Sequence, residues 1–225
     1  MRAALASCLV LASCLALAAI ALAGCRREGP QKIPQGYLFE KGPYQGFYDP
    51  SGHLTRLLYD QNGDKKADVV ILFHPNGAVK QVEADTNFDG IVDRWQSYNE
   101  SGQLEKEGYS RRGGKTADTW EYYDKTGAVI RREVDEDGSG KVDRVEMFQK
   151  GQLVAVGLDT DRDGKIERWQ TWSGGRLVSE ELDIDGDGIA DRRLRYGPGG
   201  TVAGVDVLTR PRQAAAQASA RPPAP

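Results

Sequence analysis

Two landmarks recur along this chain with one shared period, and that period constrains the fold more than any other feature. The first is an acid that closes a polar nonamer: Asp68, Asp93, Asp118, Asp143, Glu167 and Asp191, in steps of 25, 25, 25, 24 and 24 residues. The second is a glycine followed two residues later by Leu or Val, at Gly52, Gly77, Gly102, Gly127, Gly151, Gly175 and Gly200. Self-similarity at this spacing marks an array of small units, each of which buries its apolar residues only against its neighbours.

Each unit reads as two strands. Asp93-Arg94-Trp95-Gln96-Ser97-Tyr98 alternates and is rich in aromatics, the pattern of a half-buried strand. Asn99-Glu100-Ser101-Gly102 is turn chemistry, and Gln103 to Tyr109 reads as the returning strand. Pro75-Asn76-Gly77, Lys125-Thr126-Gly127 and Pro198-Gly199-Gly200 punctuate other units in the same way. No stretch of the array keeps a helical period. The expected fold is all-β: a repetitive antiparallel β-hairpin meander of about twelve strands over residues 46–207, forming a curved open sheet. Tight turns would line one edge and polar loops the other. A propeller fits less well, because twelve strands make only three blades.

The nonamers carry the chemistry. Asp85, Asn87, Asp89 and Asp93 put oxygen side chains at positions 1, 3, 5 and 9, with Gly90 at position 6 and the Ile91 carbonyl at position 7. Asp159, Asp161, Asp163 and Glu167 repeat the layout with Lys165 at position 7, and Asp183, Asp185, Asp187 and Asp191 with Ile189. Asp135, Asp137, Ser139 and Asp143, with Lys141, make a set one charge poorer. Hard oxygen donors at alternating positions around a glycine turn suit Ca²⁺, which takes 6–8 oxygens in adaptable geometry. Asp60, Asn62, Asp64 and Asp68 form a weaker set, because Lys65 stands at the glycine position. In the remaining loop Ser110, Arg112 and Gly114 replace the acids and only Asp118 survives, so no ion is expected there. Its bases, Arg111, Arg112 and Lys115, are expected to pair with acids of neighbouring loops. Asp/Asn/Gly clusters also make turns without any ion, but turns do not require an acid at every second place. Several such loops on one edge would repel one another unless neutralised.

The nonamer resembles the front of an EF-hand loop only in part, since the bidentate Glu expected at position 12 is present in one loop alone, as Glu146. It is more similar to the loops of thrombospondin type 3 repeats and of FG-GAP (integrin-propeller) repeats, where Asp-x-Asp-x-Asp-Gly-x-x-Asp bridges two strands. The strand–turn–strand cadence resembles MORN-like repeats. These resemblances cover about residues 46–207 and imply calcium-dependent folding with a surface or periplasmic interaction, and no reaction.

Residues 1–24 read as an export signal: Arg2, then an apolar run from Ala3 to Ala23. Leu22-Ala23-Gly24-Cys25 resembles the lipobox of bacterial lipoproteins, which implies cleavage before Cys25 and diacylation of its thiol. An uncleaved apolar anchor is the alternative. By the usual sorting pattern of that family, Arg26 favours the outer membrane. Cys8 and Cys14 fall in the signal, which leaves Cys25 alone and permits no intrachain disulfide. Bound metal is another way to staple an exported domain. Residues 25–45 read as a tether and 208–225 as a disordered Ala/Pro/Gln-rich tail.

Other functions are disfavoured. The formal net charge of −3 and the absence of any Lys/Arg cluster argue against a nucleic-acid partner. The two histidines, His53 and His74, both sit in expected turns, so neither a nucleophile–His pair nor a zinc site is readily assembled. Trp95, Trp120 and Trp169 share one repeat position. Phe73, Tyr98, Tyr123, Phe148, Trp172 and Tyr196 share another, of opposite parity and so on the opposite face. Cross-strand packing accounts for both ladders; a stacking platform for glycans or peptides is the alternative. The sequence therefore points to a lipid-anchored, calcium-binding repeat protein of the bacterial envelope, non-enzymatic, with a structural or adhesion role. A protein-interaction or immunity-like module using its aromatic face comes second, and an exported hydrolase third.

Overall fold

The computed structural model describes residues 29–208. The export signal, Cys25 and nearly all of the expected tail lie outside the described residues. Within them the chain forms a single open sheet of sixteen antiparallel strands in strict sequence order. The strands are β1 (Gln31–Ile33), β2 (Gly36–Lys41), β3 (Tyr44–Tyr48), β4 (Leu54–Tyr59), β5 (Val69–Phe73) and β6 (Val79–Ala84). They continue as β7 (Arg94–Tyr98), β8 (Leu104–Tyr109), β9 (Thr119–Tyr123), β10 (Val129–Val134) and β11 (Arg144–Gln149). The last five are β12 (Gln152–Leu158), β13 (Arg168–Ser173), β14 (Arg176–Leu182), β15 (Arg192–Tyr196) and β16 (Val202–Val207).

The strand number exceeds the expected twelve for two reasons. Seven tight turns, each joining a strand pair, give fourteen strands from Tyr44 to Val207. β1 and β2 add two more inside the stretch read as a tether. Pro34, Gly42 and Pro43 give that stretch a linker's composition, but Tyr37, Leu38 and Phe39 find ladder partners in Tyr48, Phe47 and Gly46.

A register shift recurs in every hairpin from β3/β4 onward. In β5/β6 it falls between Leu72 and Phe73, and in β7/β8 between Ser97 and Tyr98. One extra residue on the returning strand makes a bulge beside each turn, which raises local twist.

A single-layer sheet must bury its apolar residues by cross-strand contact alone. Val69, Ile71, Val82 and Ala84 do so on one face of β5 and β6, where Val69 opposes Ala84 and Ile71 opposes Val82. On the same face the centre of the sheet is polar and hydrogen-bonded. Arg94 Nε donates to Glu107 Oε1 at 2.7 Å, Gln96 Nε2 donates to the same oxygen at 2.8 Å, and Tyr98 Oη donates to Gln96 Oε1 at 3.0 Å. Tyr123 Oη stands between Glu107 Oε2 (3.1 Å) and Glu121 Oε2 (2.9 Å), and Arg132 bridges Glu121 and Glu146. Burial, with Glu107 close by, pushes the Tyr98 phenol up to about 12; burial and the two glutamates raise Tyr123 as well. The tyrosine ladder is therefore a hydrogen-bonded seam as much as an apolar one.

The tryptophan ladder lies on the opposite face. Trp120 lies across Gly108 of β8, where a Cβ would come within 2.4 Å of the indole. Trp169 uses Gly157 of β12 in the same way.

Candidate metal centres

All six nonamers hang from the same two backbone bonds on one edge of the sheet. The N–H at position 9 donates to the carbonyl just before position 1, from Asp68 to Tyr59 through Asp191 to Leu182. The N–H at position 1 donates to the position 9 carbonyl of the preceding loop: Asp85 to Asp68, Ser110 to Asp93, Asp135 to Asp118, Asp159 to Asp143 and Asp183 to Glu167, at 2.8–2.9 Å. Leu208 adds a further rung, donating to the Asp191 carbonyl at 2.7 Å.

Inside each loop the acids turn back onto the loop's own amides. In 159–167, Asp159 accepts from the N–H groups of Arg162 and Gly164, both at 2.7 Å. Asp161 accepts from Asp163 at 3.1 Å, Asp163 from Lys165 at 2.8 Å and Glu167 from Thr160 at 2.9 Å. Asp85, Asn87, Asp89 and Asp93 are held in the same pattern by Phe88 and Gly90, by Asp89, by Ile91 and by Thr86. Asp183, Asp185, Asp187 and Asp191 follow it, with the Ile189 N–H on Asp187 at 2.9 Å. An ionised carboxylate has about four lone-pair sites, so an oxygen fixed by one N–H still has capacity for a cation.

Three loops gather acids tightly enough to share an ion. Ligand oxygens of Asp159, Asp161, Asp163 and Glu167 all lie within 4.8 Å of one another, as do those of Asp135, Asp137 and Asp143, and those of Asp183, Asp185 and Asp187. Among the described residues, loops 60–68 and 85–93 form no such carboxylate cluster; Asn62 and Asn87 stand at position 3 there, where the clustered loops have Asp. In loop 60–68 the Asn62 amide donates to Asp68 Oδ1 at 3.2 Å, closing the loop on itself. Asp60 and Asp64 accept from the Lys65 and Lys66 N–H groups.

Loop 135–143 carries a polar atom left open. Asp143 is 7% exposed. Its Oδ2 accepts from the N–H groups of Glu136 and Asp137, whereas its Oδ1 is buried with no hydrogen-bond partner. A buried, unpartnered carboxylate oxygen is costly without a cation. Beside it, the Ser139 hydroxyl and N–H, and then the Arg162 guanidinium, hold Asp137 below the usual carboxylate range, ready to act as an anion. Oxygen-only donors, clustered and ionised, fit a hard divalent cation.

The backbone explains the glycines and two residues at one position that were harder to foresee. Position 6 is left-handed at Gly90, Gly140, Gly164 and Gly188, and Lys65 adopts φ 71° in the same place. Position 4 is left-handed too, at Gly63, Gly113, Gly138 and Gly186 but also at Phe88 (φ 63°) and Arg162 (φ 66°). Glycine at position 4 in four of six loops was the available signal.

Loop 110–118 departs from the others. Arg111 does not reach a neighbouring loop: its N–H and Nε hold Asp118 of its own loop, at 2.7 and 3.2 Å. Arg112 does lean on the next loop, since a Cβ at Gly138 would lie 3.3 Å from its Nη1. The next pair of loops is bridged by cations in both directions. Arg162 Nη1 stands 3.2 Å from Asp137 Oδ2, and Lys141 Nζ donates to the Asp163 carbonyl at 3.0 Å. The arginines after position 9 pair mainly across strands, Arg94 with Glu107 and Arg168 with Glu180, while Arg144 also reaches Glu136 of its own loop. His53 contacts Asp49 within its turn, and His74 Nε2 lies 3.0 Å from the Tyr98 carbonyl.

No protein-family model matches this chain, and no curated protein does. Among solved structures, the chain is similar to a pneumococcal O-GlcNAc transferase at 15% identity and TM-score 0.30, over 53% of this chain and 19% of that one. It is similar to accessory secretory protein 1, 2 and 3 of Streptococcus pneumoniae at 14% identity and TM-score 0.27, over 59% and 22%. A porin-like protein of Bacteroides uniformis matches at 9% identity and TM-score 0.26, over 72% and 88%. The chain thus spans about a fifth of the first two structures, and these likenesses say nothing about its activity.

Proposed function

We propose that this protein is a calcium-stapled β-hairpin array of the bacterial envelope, lipid-anchored through Cys25, with a structural or adhesion role and no catalytic one. The observation that carries the reading is Asp143 Oδ1, buried and unpartnered inside a cluster of three acids. The donor set selects the ion: carboxylate, amide, hydroxyl and carbonyl oxygens suit Ca²⁺, whereas zinc sites draw on nitrogen or sulfur ligands. Each ion would tie the strand before its loop to the strand after it and neutralise an acidic edge. Ion occupancy and folding are then linked.

The test is a melt of the full chain in about 2 mM Ca²⁺ and again in EGTA. Extracellular calcium modules bind at about 10⁻⁴–10⁻³ M. Three sites, each at roughly ten times its Kd, would contribute about 4 kcal/mol together, which corresponds to a fall of about 10 °C on chelation. A melting temperature indifferent to EGTA would remove the staple role.

A second reading, an interaction module using the sheet face, is favoured by one feature. Trp95 and Trp120 meet on that face with ring centroids 6.3 Å apart.

A further inference from the structure

Between the ion-less loop 110–118 and loop 135–143 lies an open cleft of about 350 Å³, and both indoles line it. That volume falls within the range of small-ligand sites, roughly 300–1,000 Å³. The corresponding cleft between loops 60–68 and 85–93 is about 130 Å³ and has no indole in its lining. The larger cleft is built, not incidental. Gly108 opposes Trp95 on one side and Trp120 on the other. With no side chain there, Trp120 can lie across β8 toward Trp95, and the two rings form a wedge tilted at 43°.

Above this floor the rim is charged in both signs: Lys115 and Lys141 against Asp118, Glu133 and Asp135. We infer that the cleft binds a neutral saccharide, with the apolar face of a sugar ring on the Trp95–Trp120 wedge and its hydroxyls hydrogen-bonded to Lys115 and Glu133. Three features select this ligand class. A rim of mixed sign does not single out a strongly charged ligand, whereas acids and ammonium groups together serve hydroxyls as both acceptors and donors. Peptide recognition by strand addition needs a free sheet edge, and β7, β8, β9 and β10 are each hydrogen-bonded on both sides. A single-stranded nucleic acid needs a basic groove beside its stacking rings, and acids outnumber the bases here. The Lys106 ammonium stands 3.9 Å from the Trp120 centroid, which holds that ring in place. Asp135 on the rim is also a ligand of the proposed ion, so the hydroxyl contacts are assigned to Lys115 and Glu133 and the inference needs no bound metal.

The test titrates the full chain with maltotetraose, cellotetraose and chitotetraose, followed by calorimetry and tryptophan emission. At least one sugar is expected to bind saturably and to shift the emission. Trp95→Leu and Trp120→Leu should each weaken that binding about tenfold, equal to about 1.4 kcal/mol. Trp169→Leu, on the same face but outside the cleft, should leave it unchanged. Lys115→Ala, at an exposed side chain, should weaken it about threefold and decides the matter if either indole variant melts early. The inference is overturned if no sugar binds the full chain by about 10 mM, if Trp95→Leu binds as the parent does, or if short peptides bind where all three sugars do not.

Discussion

Loops 159–167 and 110–118 occupy equivalent places on the same edge, and they separate two jobs that the other nonamers combine. Both keep the backbone rungs, with Glu167 donating to Leu158 and Asp118 to Tyr109. Both keep an acid at position 9 that accepts the N–H of position 2. Only the first gathers four carboxylates, and only the first has a left-handed residue at position 6 as well as position 4; Gly113 is left-handed in the second, and Lys115 is not. Asp118, 6% exposed, is bound by Arg111 and by the Thr119 hydroxyl instead. The position 9 acid therefore holds the corner of its loop whether or not the other acids are present, and in 135–143 and 159–167 it also joins the acidic cluster. The acids at positions 1, 3 and 5 are the ones that loop 110–118 lacks and that a proposed ion would need. That division explains why a loop stripped of its other acids still keeps Asp118.

The division can be broken with two alanines. Asp118→Ala should cost about 2–3 kcal/mol, because it leaves buried donors unsatisfied, and the cost should be the same in calcium and in EGTA. Asp163→Ala should cost about 1.4 kcal/mol in calcium, the contribution of one ion at ten times its Kd, and little in EGTA. Urea denaturation in both buffers measures all four values. A cost for Asp118→Ala that disappears in EGTA would mean that loop 110–118 itself holds an ion.

A pH series sharpens the same contrast with a smaller effect. Burial pushes the Asp118 carboxyl up, but the Arg111 N–H, the Thr119 hydroxyl and the Arg111 side chain outweigh it, and the group titrates below its ordinary value. A depressed folded pKa gives stability that is present above the unfolded value, near 3.9, and lost as pH falls through the folded one. In EGTA the stability gap between the parent and Asp118→Asn should be widest at neutral pH and shrink below about pH 4. A gap that stays constant down to pH 2.5 would show that hydrogen-bonding geometry, and not ionisation, makes Asp118 valuable.

Much of this architecture was legible because its signals are local. Period-2 alternation in Arg94–Tyr98 and glycine turns such as Asn99–Gly102 need no partner to be recognised. What was not legible depends on pairing. β2 looks like a linker until Tyr37, Leu38 and Phe39 are laid against β3. The recurrent bulges arise because five-residue leading strands such as β5 face six-residue returning strands such as β6. The layout of the metal ligands could be read, but not their gathering. Loop 85–93 has the regular spacing of the others, yet its carboxylates do not cluster as those of 135–143 do, and nothing in the spacing reveals that Asp143 Oδ1 lacks a partner. The seam from Arg94 to Glu146 was missed because charged residues on alternate strands read as solvated until the register joins them.

The smallest expected effect concerns Lys65, whose loop lies between the two compared above. It keeps most of the acids but has a lysine where Gly164 stands, and it holds that lysine at φ 71° against 94° for the glycine. A left-handed non-glycine residue costs about 1–2 kcal/mol, and replacing it by glycine loosens the unfolded chain at a cost of roughly 0.5–1 kcal/mol. Lys65→Gly should therefore stabilise by about 0.5 kcal/mol, a rise of about 1–2 °C. The Lys65 N–H on Asp60 is a backbone donor and survives the change. If the gain is equal in calcium and in EGTA, only backbone strain has been relieved, and loop 60–68 remains closed by Asn62 on Asp68. If the gain is larger in calcium, replacing the lysine has opened a further ion site in this loop. The lysine would then be what makes this loop resemble the ion-less one.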